Sequence, residues 1–100
     1  MSQLIKDRVQ QGRDAHRRHA WHEAFDSLRE ADSETPLSPQ DLKILAESAW
    51  FAGDPNAAIE ARERAHAGFL EQGDKCRAAE VALEKQDTLL PAPSELLHKV

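Results

Sequence analysis

One hundred residues make one small domain, which hides only about two thirds of the surface its unfolded chain exposes, so neighbouring elements must share a core. Eighteen acidic against thirteen basic residues leave a net charge of −5, which argues against nucleic acid as a partner. The single Cys76 excludes an intrachain disulfide, and the N-terminal MSQLIKDRVQ lacks the apolar core of a signal peptide, so a cytoplasmic location with no membrane contact is expected.

No tyrosine, four glycines and abundant Ala, Glu and Arg favour an all-α chain over any sheet. In the first helix, about Gln3 to Arg18, Leu4, Ile5, Val9, Gly12, Ala15 and His16 recur at helical intervals among charged residues. His19 and Ala20 form a junction, after which Trp21, Ala24, Phe25, Leu28 and Ala31 mark a second helix that Pro36 and Pro39 bring to an end near Thr35. Ser38 or Asp41 can cap the third helix, which carries Leu42, Leu45, Ala46, Ala49 and Trp50 on one stripe. Gly53-Asp54-Pro55 then breaks the pattern. Glycine suits the left-handed position past a helix end, aspartate the cap, and proline the first turn of the fourth helix, which runs to about Glu71. Gly73-Asp74 marks the next break. A fifth helix, about Lys75 to Gln86, has Cys76, Ala79, Val81, Ala82 and Leu83 as its expected apolar set, which makes Cys76 a small core residue rather than a nucleophile. The expected domain covers residues 1–90, and residues 91–100 form a tail in which Pro91 and Pro93 leave room only for a short helix around Ser94 to His98.

An internal period orders these elements. Ala24 and Ala58, Ala31 and Ala65, Gly12 and Ala46, and Leu28 and Arg62 are each separated by 34 residues. With Trp21, Pro36, Leu42, Leu45 and Gly53-Asp54, these positions resemble the tetratricopeptide repeat (TPR) pattern over about residues 5 to 86. Arg8, Ala49 and Leu70 stand where that family has an aromatic, a tyrosine and a proline. The run from Gly53 to Leu83 also resembles helical repeat segments of LuxR-type and cyclase-linked actinobacterial regulators, although no helix-turn-helix or cyclase motif accompanies it. The TPR resemblance implies stacked antiparallel hairpins, a solenoid of five helices and about two and a half repeats, in which the first helix of each pair lines a concave groove. Small residues at Gly12, Ala24, Ala46 and Ala58 then allow close helix approach, with Trp21, Leu45 and Ile59 filling the gaps.

Groove-lining positions on helices one, three and five include Lys6, Arg13, Arg17, Lys43, Trp50 and Arg77, with Gln10, Glu47, Phe51 and Lys85 beside them. A basic groove with an aromatic suits an acidic or carboxylate-ended peptide; the plainer account makes these ordinary solvated charges. The expected function is a non-catalytic protein-protein interaction module that binds a partner protein or acidic peptide. The alternative is a regulatory or sensor fragment that responds to metal through His16 and His19, which share a face if the first helix is continuous. No metal is otherwise expected, and no cofactor: there is no phosphate-cradling glycine loop, nucleophile elbow or HExxH, and acid pairs such as Glu60 with Glu63 alternate with arginines as exposed ion-pair faces. Val81, Leu83, Leu89 and Leu90 have no evident intrachain partner, which points to homo-oligomerisation through the C-terminal helix unless Leu96 and Leu97 fold back to cover them or the domain belongs to a longer array.

Overall fold

The computed structural model describes residues 3–88, with side chains through residue 82. Five helices follow one another, α1 (Gln3–Arg17), α2 (Trp21–Glu34), α3 (Pro39–Ala52), α4 (Pro55–Glu71) and α5 (Lys75–Thr88), and no strand occurs among the described residues. The chain is all-α. Each helix packs chiefly on its neighbours in the chain, and α1 also reaches α3.

Three of the four junctions share one local design. His19, Gly53 and Gly73 have positive φ (59°, 93° and 76°). After each, the next amide bonds five residues back, Ala20 to Ala15, Asp54 to Ala49 and Asp74 to Phe69, at 2.9 Å in every case. This is the Schellman closure of a helix C-terminus. Asp54 and Asp74 then cap the following helices by accepting from Ala57 and Arg77 amides at 3.0 Å. The first turn does both jobs with poorer residues. A histidine holds the left-handed position that suits glycine, and Ala20 offers no side-chain cap.

The remaining junction, Thr35–Ser38, is built differently. Thr35 leaves α2 in an extended conformation, and Ser38 opens α3 with its hydroxyl accepting from the Asp41 amide. Pro39 takes the first turn of α3, where no donor is needed. The Leu37 amide donates to Asp32 Oδ1 at 3.1 Å, which fixes the loop to the last turn of α2 and buries the Leu37 side chain.

The core is narrow because much of it is alanine. Ala15, Ala24, Ala31, Ala46, Ala49, Ala58 and Ala65 are fully buried, with Leu28, Leu45, Phe69 and Val81 as the larger filling. Positions 34 residues apart are buried alike: Gly12 and Ala46, Ala15 and Ala49, Ala24 and Ala58, Leu28 and Arg62, Ala31 and Ala65. Close approach is visible at two glycines. A Cβ on Gly12 would lie 2.5 Å from Leu28 Cγ, and one on Gly68 2.5 Å from Pro39 Cγ. Both are distances that no packed pair of carbons tolerates, so the α1 backbone at Gly12 lies directly against the Leu28 side chain of α2, and the α4 backbone at Gly68 against the Pro39 ring of α3.

The expected apolar face of α5 is corrected. Cys76 and Ala79 are exposed, and Ala78 and Val81 are the buried residues among the described side chains of α5. At ~100° per residue Cys76 lies about 200° round the helix from Ala78, so the core face excludes it. Val81 therefore has intrachain cover. Trp21 is half-buried, its ring lying between His16 of α1 and Phe51 of α3. Leu89, Leu90, Leu96, Leu97, the tail 91–100 and the side chains of Leu83 and Lys85 lie outside the described residues.

Replacing Ala20 by Asp supplies the missing carboxylate at backbone angles (φ −83°, ψ 75°) close to those of Asp54 (φ −117°, ψ 81°). The expected gain is about 1 kcal/mol, a rise in Tm of roughly 4–8 °C on thermal denaturation followed by circular dichroism. An unchanged or lower Tm contradicts the assignment of this turn as the uncapped one.

Candidate functional site

The six cations and aromatics singled out by spacing fall into different environments. Lys6 and Arg13 come together on one face of α1, two turns apart, where they line a cleft with Val9, Pro36, Leu37 and Asp41. Lys6 is exposed and makes no ion pair or hydrogen bond among the described residues. Arg13 is clamped: its Nε and Nη2 donate to the two carboxylate oxygens of Asp41, each at 2.8 Å. Arg17, one turn further along α1, pairs with Asp14 at 3.3 Å and is largely in solvent. Lys43 reaches across to Glu80 of α5 at 3.5 Å. Arg77 pairs with Asp74 and lies 6.0 Å from the centroid of the Phe69 ring. Trp50 is half-buried against the core, and its neighbour Phe51 is the exposed aromatic.

Among the described residues, several polar contacts join helices that are two apart in the chain. Arg13–Asp41 and His16–Glu47 (2.9 Å) link α1 to α3, Lys43–Glu80 links α3 to α5, and Asp32–Arg64 links α2 to α4. They are not equal in energy. Asp41 is only 5% exposed, and besides Arg13 it has the Ser38 hydroxyl 3.2 Å from Oδ2, so its carboxylate depends on those partners for the solvation it has lost. Lys43–Glu80 is a long contact between well-hydrated groups and contributes little.

Among the described residues Asp32, like Asp41, accepts three hydrogen bonds. Arg64 donates to both its oxygens (2.7 and 2.9 Å) while the Leu37 amide shares Oδ1. The hydrogen bonds from Arg64 hold the Asp32 carboxyl below the usual carboxylate range, with burial pushing the other way and the Leu37 amide adding to the depression. The same contact raises the Arg64 guanidinium further above its ordinary value.

His16 and His19 both adjoin Trp21 but in different ways. His16 Nε2 faces Glu47, whereas the His19 ring lies flat on Trp21 at 4.9 Å, and Trp21 in turn stacks on Phe51 at 4.8 Å. His16 meets the Trp21 ring edge-on at 5.6 Å. Among the described residues no three His, Cys, Asp or Glu side chains converge as a metal cage. No helix among them is long and apolar enough to cross a membrane.

Spacing alone did not reveal the roles of Asp41, Asp32 and Arg64. Asp41 looked like a helix cap, and its buried carboxylate is recognisable only once α1 is placed beside α3. Compared with known proteins, the chain matches no family model, no curated protein and no solved structure.

Arg13→Ala leaves a buried carboxylate without its main donor and should cost about 1–3 kcal/mol in urea denaturation, whereas Arg17→Ala should stay within about 0.5 kcal/mol of the parent. Equal effects rule out the distinction. A second prediction concerns pH. Because the folded Asp32 carboxyl titrates below its unfolded value of about 3.9, its stabilisation is present above that pH and fades as pH falls through the lower folded value. The Tm gap between the parent and Asp32→Asn should be steady from about pH 5 to 8 and close on acidification below about pH 4; a gap that widens there refutes the assignment.

Proposed function

We propose that the chain is a non-catalytic protein-interaction module. In this reading it is a tetratricopeptide-like stack of about two and a half helical hairpins that holds an acidic partner segment against the face carrying α1, α3 and α5. The observation that carries the reading is that helices bond both to their chain neighbour, as Arg8 of α1 does to Glu30 of α2, and to the helix two further on, α1 to α3, α2 to α4 and α3 to α5. Stacked hairpins produce both kinds of contact, and they leave an extended face suited to a peptide.

Internal ion pairing limits which cations are free to act. Arg13 is committed to Asp41 and orients rather than exchanges. Among the described residues Arg17 and Arg77 pair only with acids within three residues, at the surface, so trading those acids for a partner's carboxylates costs little. Lys6 has no ion pair among the described residues to give up. Lys43 contributes its charge where α3 meets α5, and Trp50, two turns further along α3, is half-buried against the core.

Selection of displayed random peptides on the immobilised protein tests this. Enrichment of Asp- and Glu-rich sequences is expected, with several-fold weaker capture by the double variant Arg17→Glu, Arg77→Glu, whose helical circular dichroism should match the parent. Enrichment of basic sequences, or of none after repeated rounds, sinks the reading.

A further inference from the structure

In the cleft between α1 and the Thr35–Ser38 junction, a cation with no partner among the described residues, an oriented cation and apolar surface meet. Its volume is about 370 Å³, at the small end of ligand pockets and large enough for a side chain rather than a helix. Val9, Pro36 and Leu37 give it apolar wall. Lys6 and Arg13 flank it along α1, seven residues apart and therefore on the same side of the helix. Asp41 answers only one of these charges, so the cleft carries one uncompensated positive charge on a protein whose net charge is −5.

The two cations are not equivalent. Asp41 occupies the Nε and Nη2 edge of Arg13 and leaves Nη1 with no bond among the described residues. The guanidinium is thereby held in one orientation with donors to spare, which removes much of the ordering cost of binding a carboxylate. Lys6, on a flexible stem, supplies the unanswered charge and adapts to the ligand. The apolar wall adds selectivity, because an anion alone gains nothing from Val9 and Leu37.

We propose that this cleft is a subsite for a partner protein's extended segment, in which an aliphatic side chain enters against Val9 and Leu37 and a glutamate two residues away is held by Lys6 and the free edge of Arg13. Residues i and i+2 of an extended strand point to the same side about 6.6 Å apart, which is why the pair is spaced by two rather than one. This rests on the interaction-module reading and specifies which part of the face selects the partner and by what chemistry.

The test is a 15N NMR titration of the full chain with three capped peptides at millimolar concentration: acetyl-Gly-Leu-Ser-Glu-Gly-amide, its Glu→Gln form and its Leu→Ser form. The expected result is shift changes confined to residues 6–13 and 36–41 with the first peptide, at least fivefold weaker response to the other two, and loss of response in Lys6→Glu. Lys6 is exposed, so that variant should keep the parent's spectrum elsewhere. Equal response to the Gln peptide, an unchanged response in Lys6→Glu, or the same shifts with acetate alone overturns the subsite. Acid-dependent shifts on α3 and α5 instead overturn it while leaving the interaction module standing; silence in every arm together with an empty peptide selection removes both.

Discussion

How closely the paired helices approach governs everything else in this fold. Gly12 faces Leu28 and Gly68 faces Pro39 with no room for even one added carbon, and a series of buried alanines continues the contact along each pair. A core of this kind gains less from the size of its side chains than from their fit, since alanine buries little area by itself. Packing at such range brings elements two apart in the chain within reach of single side chains. The bonds between α1 and α3, and between α2 and α4, are a consequence of that thinness.

The electrostatics concentrate at the connection between the two complete hairpins. Asp32, at the end of α2, holds the Leu37 amide and Arg64 of α4; Asp41, at the start of α3, holds the Ser38 hydroxyl and Arg13 of α1. Two carboxylates thus brace one short loop from both sides and tie it to the helices on either flank. The surface pairs elsewhere, such as Arg18 with Glu23 or Arg29 with Asp26, lie in water and set solubility more than shape.

Most element boundaries were legible in the sequence because their punctuation is local. Gly53-Asp54-Pro55 and Gly73-Asp74 state a left-handed residue and a cap in the order a turn requires, and Pro36 with Pro39 cannot continue a helix. The buried positions at 34-residue spacing were legible for the same reason, since each is small where its counterpart is small. The face of α5 was not. Alanine occurs at 78, 79 and 82, so hydrophobicity offers no contrast between sides, and only packing against α4 selects Ala78 and Val81 over Cys76 and Ala79. The charge partners were also hidden, because Arg13 and Asp41 are 28 positions apart and Asp32 and Arg64 are 32. Lys6, Arg13, Arg17, Lys43 and Arg77 were picked out as charged positions at helical spacing; which of them are already engaged is a fact of three dimensions.

The ring stack at the first turn has a use of its own. Trp21 begins α2, yet its two faces are covered by His19 from the turn and Phe51 from α3, with His16 of α1 at its edge. Its indole therefore samples the join of α1, α2 and α3, while Trp50 packs half-buried against the core. The molecule carries two intrinsic fluorophores in separate settings, so emission from a variant lacking one of them follows the opening of that join independently of the rest of the chain.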